Sequence, residues 1–253
     1  MKRFVDNIYD ENGVRSDLIW YHCNMPRAPR IQIPNLLFHV INRGNGRQNI
    51  FRSQKDYHEY LKLIQRFKED HPLKLYHYVL MPNHVHFLLE PLEEGVISAF
   101  MQKLTLSHTR RFNAKYHSVG HVWQGRFKSI LIETDEYYLE CGRYIELNPV
   151  RAHIVNRPEQ YPWTSYHHLA LGKDDQLLDQ HDLYVDFGKT SDTRQHKYTQ
   201  FVMDELPSAL KGQSMKFSER QLYGTTKFIE TMREKFSIPI LRNRSGRPPK
   251  NQT

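Results

Sequence analysis

The stretch Leu75-Tyr-His-Tyr-Val-Leu80-Met81-Pro82-Asn83-His84-Val85-His86-Phe87-Leu88-Leu89-Glu90 decides the fold. Pro82 and Asn83 punctuate it, so Met81-Pro82-Asn83 reads as a turn between two strands, Leu75–Leu80 and His84–Glu90. The two strands make a hairpin. In the second, Val85, Phe87 and Leu89 alternate with His84, His86, Leu88 and Glu90, and a period of two sends the sets to opposite faces. The apolar triplet is the core face. Both histidines therefore share the other face, available to a ligand or to a covering helix.

Working outward, Leu36–Asn42 reads as a strand that runs into the flexible basic loop Arg43-Gly-Asn-Gly-Arg47. Ser53 can cap a helix to about Asp70, with Tyr57, Tyr60, Leu61, Ile64 and Phe67 at helical spacing. After the hairpin, Gly95–Tyr116 is helical with Phe100, Leu104 and Phe112 on a stripe. A loop at Gly120–Gly125 leads to a strand, Phe127–Glu133. Thr134 or Asp135 then caps a helix that Asn148-Pro149 ends. The order βαββαβ plus a helix predicts an α+β fold: a ferredoxin-like antiparallel sheet with helices, and a C-terminal helix added to it. Beyond Trp163 the pattern fades, with helices at Lys197–Leu206 and Thr225–Phe236. The expected organisation is an N-terminal extension over 1–25, with Met25 as an alternative start, then a catalytic domain over 26–165. A mostly helical accessory segment follows over 166–241, and a basic tail over 242–253.

Composition narrows the function. The 253 residues carry a net charge of +8, a pI near 9.3 and 39% hydrophobic content, which favours a polyanionic partner, chiefly nucleic acid. Two distant cysteines, Cys23 and Cys141, make no disulfide framework and fit a reducing cytoplasm. No long apolar run or apolar leader core is present, so no membrane partner is expected.

A second string, Tyr144-Ile-Glu-Leu-Asn148-Pro149, places a phenol and a carboxamide four residues apart, on one side of a helix. Tyr137 and Tyr138 are rival phenols, but Cys141 and Gly142 stand four residues after them. Two imidazoles and the Asn148 amide oxygen would hold a divalent ion, with mixed N/O ligation suiting Mg²⁺ or Mn²⁺. Beside such an ion a phenol is a competent nucleophile towards a phosphodiester. Taken singly, the histidines are better explained by water or carbonyl partners than by a metal, and Tyr144 and Asn148 by a core ring and a helix cap than by catalysis.

Charge is unevenly spread. Leu18–Lys55 holds six Lys or Arg and no acid, and Met101–Ile132 holds six more and again no acid. The second interleaves Phe112, Tyr116, Trp123 and Phe127. Cations for phosphates and rings for unpaired bases make a single-strand platform. Arg43, Arg47, Arg110, Arg111, Trp123, Arg126 and Lys128 are its candidate contacts; solvated helix faces and core aromatics are the alternative.

Several strings together resemble a known family. They are Met25-Pro-Arg-Ala-Pro-Arg30, Phe38-His-Val-Ile-Asn-Arg-Gly-Asn45, Leu80-Met-Pro-Asn-His-Val-His86, Gly120-His-Val-Trp-Gln-Gly-Arg-Phe-Lys128 and Arg143-Tyr-Ile-Glu-Leu-Asn-Pro-Val-Arg-Ala152. In order and combination they resemble single-tyrosine HUH transposases of the IS200-like kind, nearest to the REP-associated tyrosine transposases. The resemblance covers roughly residues 26–165. It implies a ferredoxin-like fold, His84 and His86 as the HUH metal pair, Tyr144 as nucleophile and Asn148 as third ligand, where related insertion-sequence enzymes often have Gln. It also implies single-stranded or hairpin DNA from palindromic repeats as substrate, a bacterial, nucleoid-associated setting, and either a monomer or a homodimer. A non-catalytic nucleic-acid-binding protein on the same fold and a water-using metal phosphodiesterase are the rival functions.

Overall fold

The computed structural model describes residues 31, 33–133, 136–211 and 222–236. The expected N-terminal extension, the Met25 start, the cap at Thr134 or Asp135 and the basic tail over 242–253 lie outside the described residues.

The chain runs β1 (Leu37–Arg43), α1 (Gln54–Glu69), β2 (Leu73–Met81), β3 (His84–Pro91), α2 (Val96–Tyr116), β4 (Lys128–Ile132), α3 (Glu136–Glu146) and α4 (Asn148–Arg151). It continues with α5 (Tyr166–Leu169), α6 (Asp182–Val185), α7 (Ser191–Asp204), α8 (Leu206–Leu210), β5 (Leu222–Tyr223) and α9 (Thr226–Phe236). The strands lie in the order β2-β3-β1-β4-β5. β1 is antiparallel to both β3 and β4, β2 and β3 form the hairpin, and β5 joins β4 in parallel. The first four strands with α1 and α2 are the expected βαββαβ. The fifth strand was not expected: Leu222–Tyr223 is too short to show an alternation.

Register fixes which side chains meet. Ile41 stands opposite His86 on one side and Lys128 on the other, and Arg43 stands opposite His84. One face carries Phe38, Val40, Val85, Phe87 and Leu89 and packs under α1 and α2. The other carries Leu37, Ile41, Val79, Met81, Leu88, Ile130 and Ile132, covered by Tyr138, Cys141 and Ile145 of α3. Burying a single such side chain contributes about 1.5–3 kcal/mol, so the alternation in β3 strongly specifies which face the histidines take. The hairpin tip is tied down from β1's side: Gly44 N donates to Asn83 O (2.8 Å) and Ile50 N to Pro82 O (2.8 Å). Position 44 needs glycine, because a Cβ there would meet Gln48 O at 2.3 Å.

Two expectations change. First, α3 ends at Glu146, about where expected, but Asn148-Pro149 opens a further short helix rather than leaving a loop. Leu147 makes a kink and α4 restarts at Asn148, with Pro149 in its first turn, where its missing N–H costs nothing. Second, the acid-free stretch on α2 is not acid-free in space. α1 and its C-terminal cap residue Asp70 supply partners: Lys103 pairs with Asp70 (3.6 Å), Arg111 with Glu59, and Lys115 with Asp56 (2.5 Å).

The segment after Trp163 packs closely on this core. Leu80 N donates to Trp163 O (2.9 Å), and Thr164 bridges to Val79 at the β2 edge. Leu147 and Val150 share a cluster with Tyr166, Leu169, Tyr184, Tyr198 and Val202, so the helices α5–α7 buttress the α3–α4 join. Among the described residues no helix is long and apolar enough to cross a membrane.

Candidate active site

The α3 face of the sheet gathers His84 and His86 from β3, His39 and Arg43 from β1, and Lys128 from β4, as the registers dictate. α3 lies across this face. It comes close at Gly142, where a Cβ would stand 2.7 Å from His77 Nε2. Two residues on, Tyr144 turns its ring towards the histidines: its centroid is 5.9 Å from that of His86 and 5.9 Å from that of His39, edge-on to both. The rival phenols are placed elsewhere. Tyr138 is buried and stacked on His181 (4.0 Å), and Tyr137 meets Tyr223.

The helix is pinned from beneath. Glu146 is fully buried and accepts from Thr164 Oγ1 (2.5 Å) and Ser165 Oγ (2.6 Å), with His77 Nδ1 at 3.0 Å. A carboxylate so enclosed requires all of its partners. This cluster therefore sets the rotation of α3, and with it the direction of Tyr144.

The histidines form a connected set. His84 and His86 ring centroids are 5.0 Å apart. His84 Nδ1 donates to Asn83 Oδ1 (2.6 Å). His86 Nδ1 is 2.8 Å from His39 Nε2, the two rings nearly parallel. Burial pushes His39 down to about 3. Burial, and after it the Arg43 charge, pushes His84 down to about 4, and burial pulls His86 well below the usual histidine range. All three are neutral near pH 7. With Nδ1 engaged as donor, His84 keeps its lone pair at Nε2; the same holds for His86 when it donates to His39.

Asn148 is buried at 8% exposure, and its Nδ2 donates to Tyr144 O (3.1 Å), which turns Oδ1 away from that carbonyl. Among the described residues no three His, Cys, Asp or Glu side chains gather as a metal cluster. The donors that the structure brings together are the neutral imidazoles of His84 and His86; Asn148 is carried beside Tyr144 in the first turn of α4. An imidazole pair fits a divalent ion of mixed N/O preference that takes further oxygen ligands.

The expected contact residues divide. Arg43 and Lys128 flank the histidines; Arg47 and Arg126 are exposed in the loops at 45–47 and before β4. Arg110 and Arg111 sit on α2, on the opposite side of the sheet, and Arg111 is paired with Glu59. Trp123 differs from the expectation most. It is 6% exposed and packs on His108 (5.3 Å) and Tyr60 (6.0 Å) in the main core, because its backbone bridges to Gly44 and draws the indole inward. A ring so enclosed cannot stack on a base. Two residues at the site carried no expected role: His39 and Arg151, whose guanidinium lies over the Tyr144 ring.

The ferredoxin-like sheet thus carries a buried imidazole pair, His39 and His86, facing the helix-borne Tyr144. Residues 32–148 match the family model described as "Transposase IS200 like". The chain is 24% identical over 131 residues to the REP-associated tyrosine transposase of Escherichia coli (strain K12), covering 51% of this chain and 75% of that protein. A Haemophilus influenzae relative is 27% identical over 121 residues, covering 43% of this chain and 68% of its own. A solved structure, a REP-associated tyrosine transposase bound to a REP hairpin, is 22% identical, covers 62% of this chain and 99% of its own, and superposes with a TM-score of 0.48. The family resemblance read from the motifs is borne out.

Proposed function

We propose that this protein cuts and rejoins single-stranded DNA at hairpin-forming palindromic repeats, with Tyr144 as the nucleophile. The observation that carries this reading is the meeting of the Tyr144 ring with the His39–His86 pair on a face flanked by Arg43 and Lys128. The hairpin substrate rests on the likeness to REP-associated relatives.

His84, His86 and Asn148 would hold Mg²⁺ or Mn²⁺. When bound, the ion would draw charge from the phosphoryl oxygens and lower the barrier to attack. The chain's own residues do the rest. Arg43, Arg47, Arg126 and Lys128 draw the strand's backbone onto the open edge of the site. Tyr144 Oη attacks phosphorus and loses its proton to solvent. The Tyr144 O–P bond forms, the P–O3′ bond breaks, and the leaving oxygen takes up a proton to become a free 3′-hydroxyl. The 5′ end stays on Tyr144 as a phosphotyrosine. An incoming 3′-hydroxyl reverses the step, because a phenolate leaves more readily than an alkoxide, so no nucleotide cofactor is needed.

A labelled oligonucleotide spanning an inverted repeat beside the gene, incubated with Mn²⁺ and run on a denaturing gel, tests this. The expected result is a protein-linked label that is lost in Tyr144→Phe and in chelator. Cleavage without linkage would mean a water nucleophile. Binding with neither would mean a non-catalytic DNA-binding protein.

A further inference from the structure

Arg151 follows Tyr144 by seven residues, two helical turns, and the restart at α4 keeps the two side chains together. Its guanidinium carbon stands 4.7 Å from the Tyr144 ring centroid. Its Nε and Nη1 are enclosed and have no hydrogen-bond partner, and among the described residues it forms no ion pair. Arg143, one helix earlier, is different. Its charge is engaged by Glu140 and Glu205 and by the ring of Phe201 (4.3 Å). Burial pushes the Arg151 guanidinium pKa down, and the foremost opposing influence is Tyr144, ahead of Glu205. A partly buried cation with unused donors is unfavourable by itself. Nη2 is not enclosed and makes no hydrogen bond among the described residues, so it is the donor that an anion arriving with the substrate can reach.

We propose that Arg151 is a further catalytic residue of this site, fixing the Tyr144 ring by its cation–π contact and donating to a non-bridging oxygen of the phosphodiester under attack. The proposal rests on Tyr144 being the nucleophile. Charge grows on the phosphoryl oxygens as the Tyr144 O–P bond forms and the P–O3′ bond breaks. A fixed guanidinium beside that point stabilises it more than it stabilises the unreacted strand. The same cation then stands next to the phosphotyrosine until a 3′-hydroxyl returns.

The test compares Arg151→Gln and Arg151→Lys in the full chain. The probe is the labelled inverted-repeat oligonucleotide with Mn²⁺. Arg151→Gln should slow formation of the Tyr144 adduct about 100-fold. Its affinity for the uncleaved strand, read in a Tyr144→Phe background, should stay within about threefold, because the other basic residues supply binding. Arg151→Lys should recover to within about tenfold of wild type. Without DNA, the ¹³C ring resonance of Tyr144 should move in Arg151→Gln and stay close to wild type in Arg151→Lys. An unchanged adduct rate in Arg151→Gln, or an unmoved ring resonance, overturns the proposal. So does an equal loss of rate and melting temperature in both variants, which would make Arg151 a packing residue. If wild-type protein forms no adduct at all, the nucleophile reading fails and this one fails with it.

Discussion

His39 Nε2 and His86 Nδ1 stand 2.8 Å apart across the central pair of strands, both rings buried. The contact fixes how His86 presents its other nitrogen. Replacing His39 by Leu removes the partner and leaves His86 Nδ1 buried without one. Such a loss behind a metal-binding histidine typically lowers metal affinity by about 10–100-fold. Mn²⁺ titration of DNA-free protein, followed by electron paramagnetic resonance, should show that drop. Unchanged affinity would mean that His86 is not a ligand or that its orientation is set elsewhere.

The same burial makes stability depend on pH. Unfolded histidines take up protons near pH 6.5, whereas folded His84 resists to about 4 and folded His39 to about 3. Below pH 6.5 the unfolded chain therefore binds more protons, and stability falls as pH falls, until about pH 4 for His84 and about pH 3 for His39. Each fully titrating histidine contributes a slope of about 1.4 kcal/mol per pH unit. Urea unfolding of metal-free protein between pH 7 and 4.5 should show the loss, with a shallower slope in His39→Leu. A flat profile would contradict the assignment of both as buried neutral groups.

Gly142 lets α3 rest on His77. In Gly142→Ala the new Cβ meets a ring that Glu146 holds in place, so the helix must lift. Overpacking of this kind costs about 1–3 kcal/mol. The displaced Tyr144 should also lose adduct formation beyond what the stability change explains. A variant of wild-type activity would show that the α3 contact does not position the nucleophile.

Salt dependence separates the basic residues. Arg43→Ala and Lys128→Ala should each reduce the slope of log affinity against log salt for single-stranded DNA by about 0.7. Arg111→Ala, on the far side and already paired with Glu59, should leave the slope unchanged. Equal effects at all three would mean that DNA also follows the α2 face.

Much of this was legible in the residues. The alternation in β3 placed both histidines on one face, and the spacing of Tyr144 and Asn148 survived a kink that the proline had suggested would be an end. What escaped depended on which strands lie side by side. His39 sits in an ordinary strand between Phe38 and Val40, and only the pairing of Ile41 with His86 brings it to the site. In the same way, Asp56, Glu59 and Asp70 neutralise α2 from another helix, which no count along the chain can see. The glycine-flanked loop of Trp123 allows either base stacking or core packing, and the bridge to Gly44, which folds the loop inward, decides for the core. Arg151 lay beyond a proline that masked the continuation of the helix.

The central claim is that Tyr144 carries the DNA, and peptide mapping tests it most directly. Wild-type protein is reacted with the inverted-repeat oligonucleotide and Mn²⁺, digested with nuclease and trypsin, and sequenced by mass spectrometry. The account predicts a nucleotide-bearing phosphotyrosine at Tyr144, within the peptide that follows Arg143. A nucleotide on Tyr137, Tyr138 or any other residue, or cleaved DNA with no modified peptide, would contradict it.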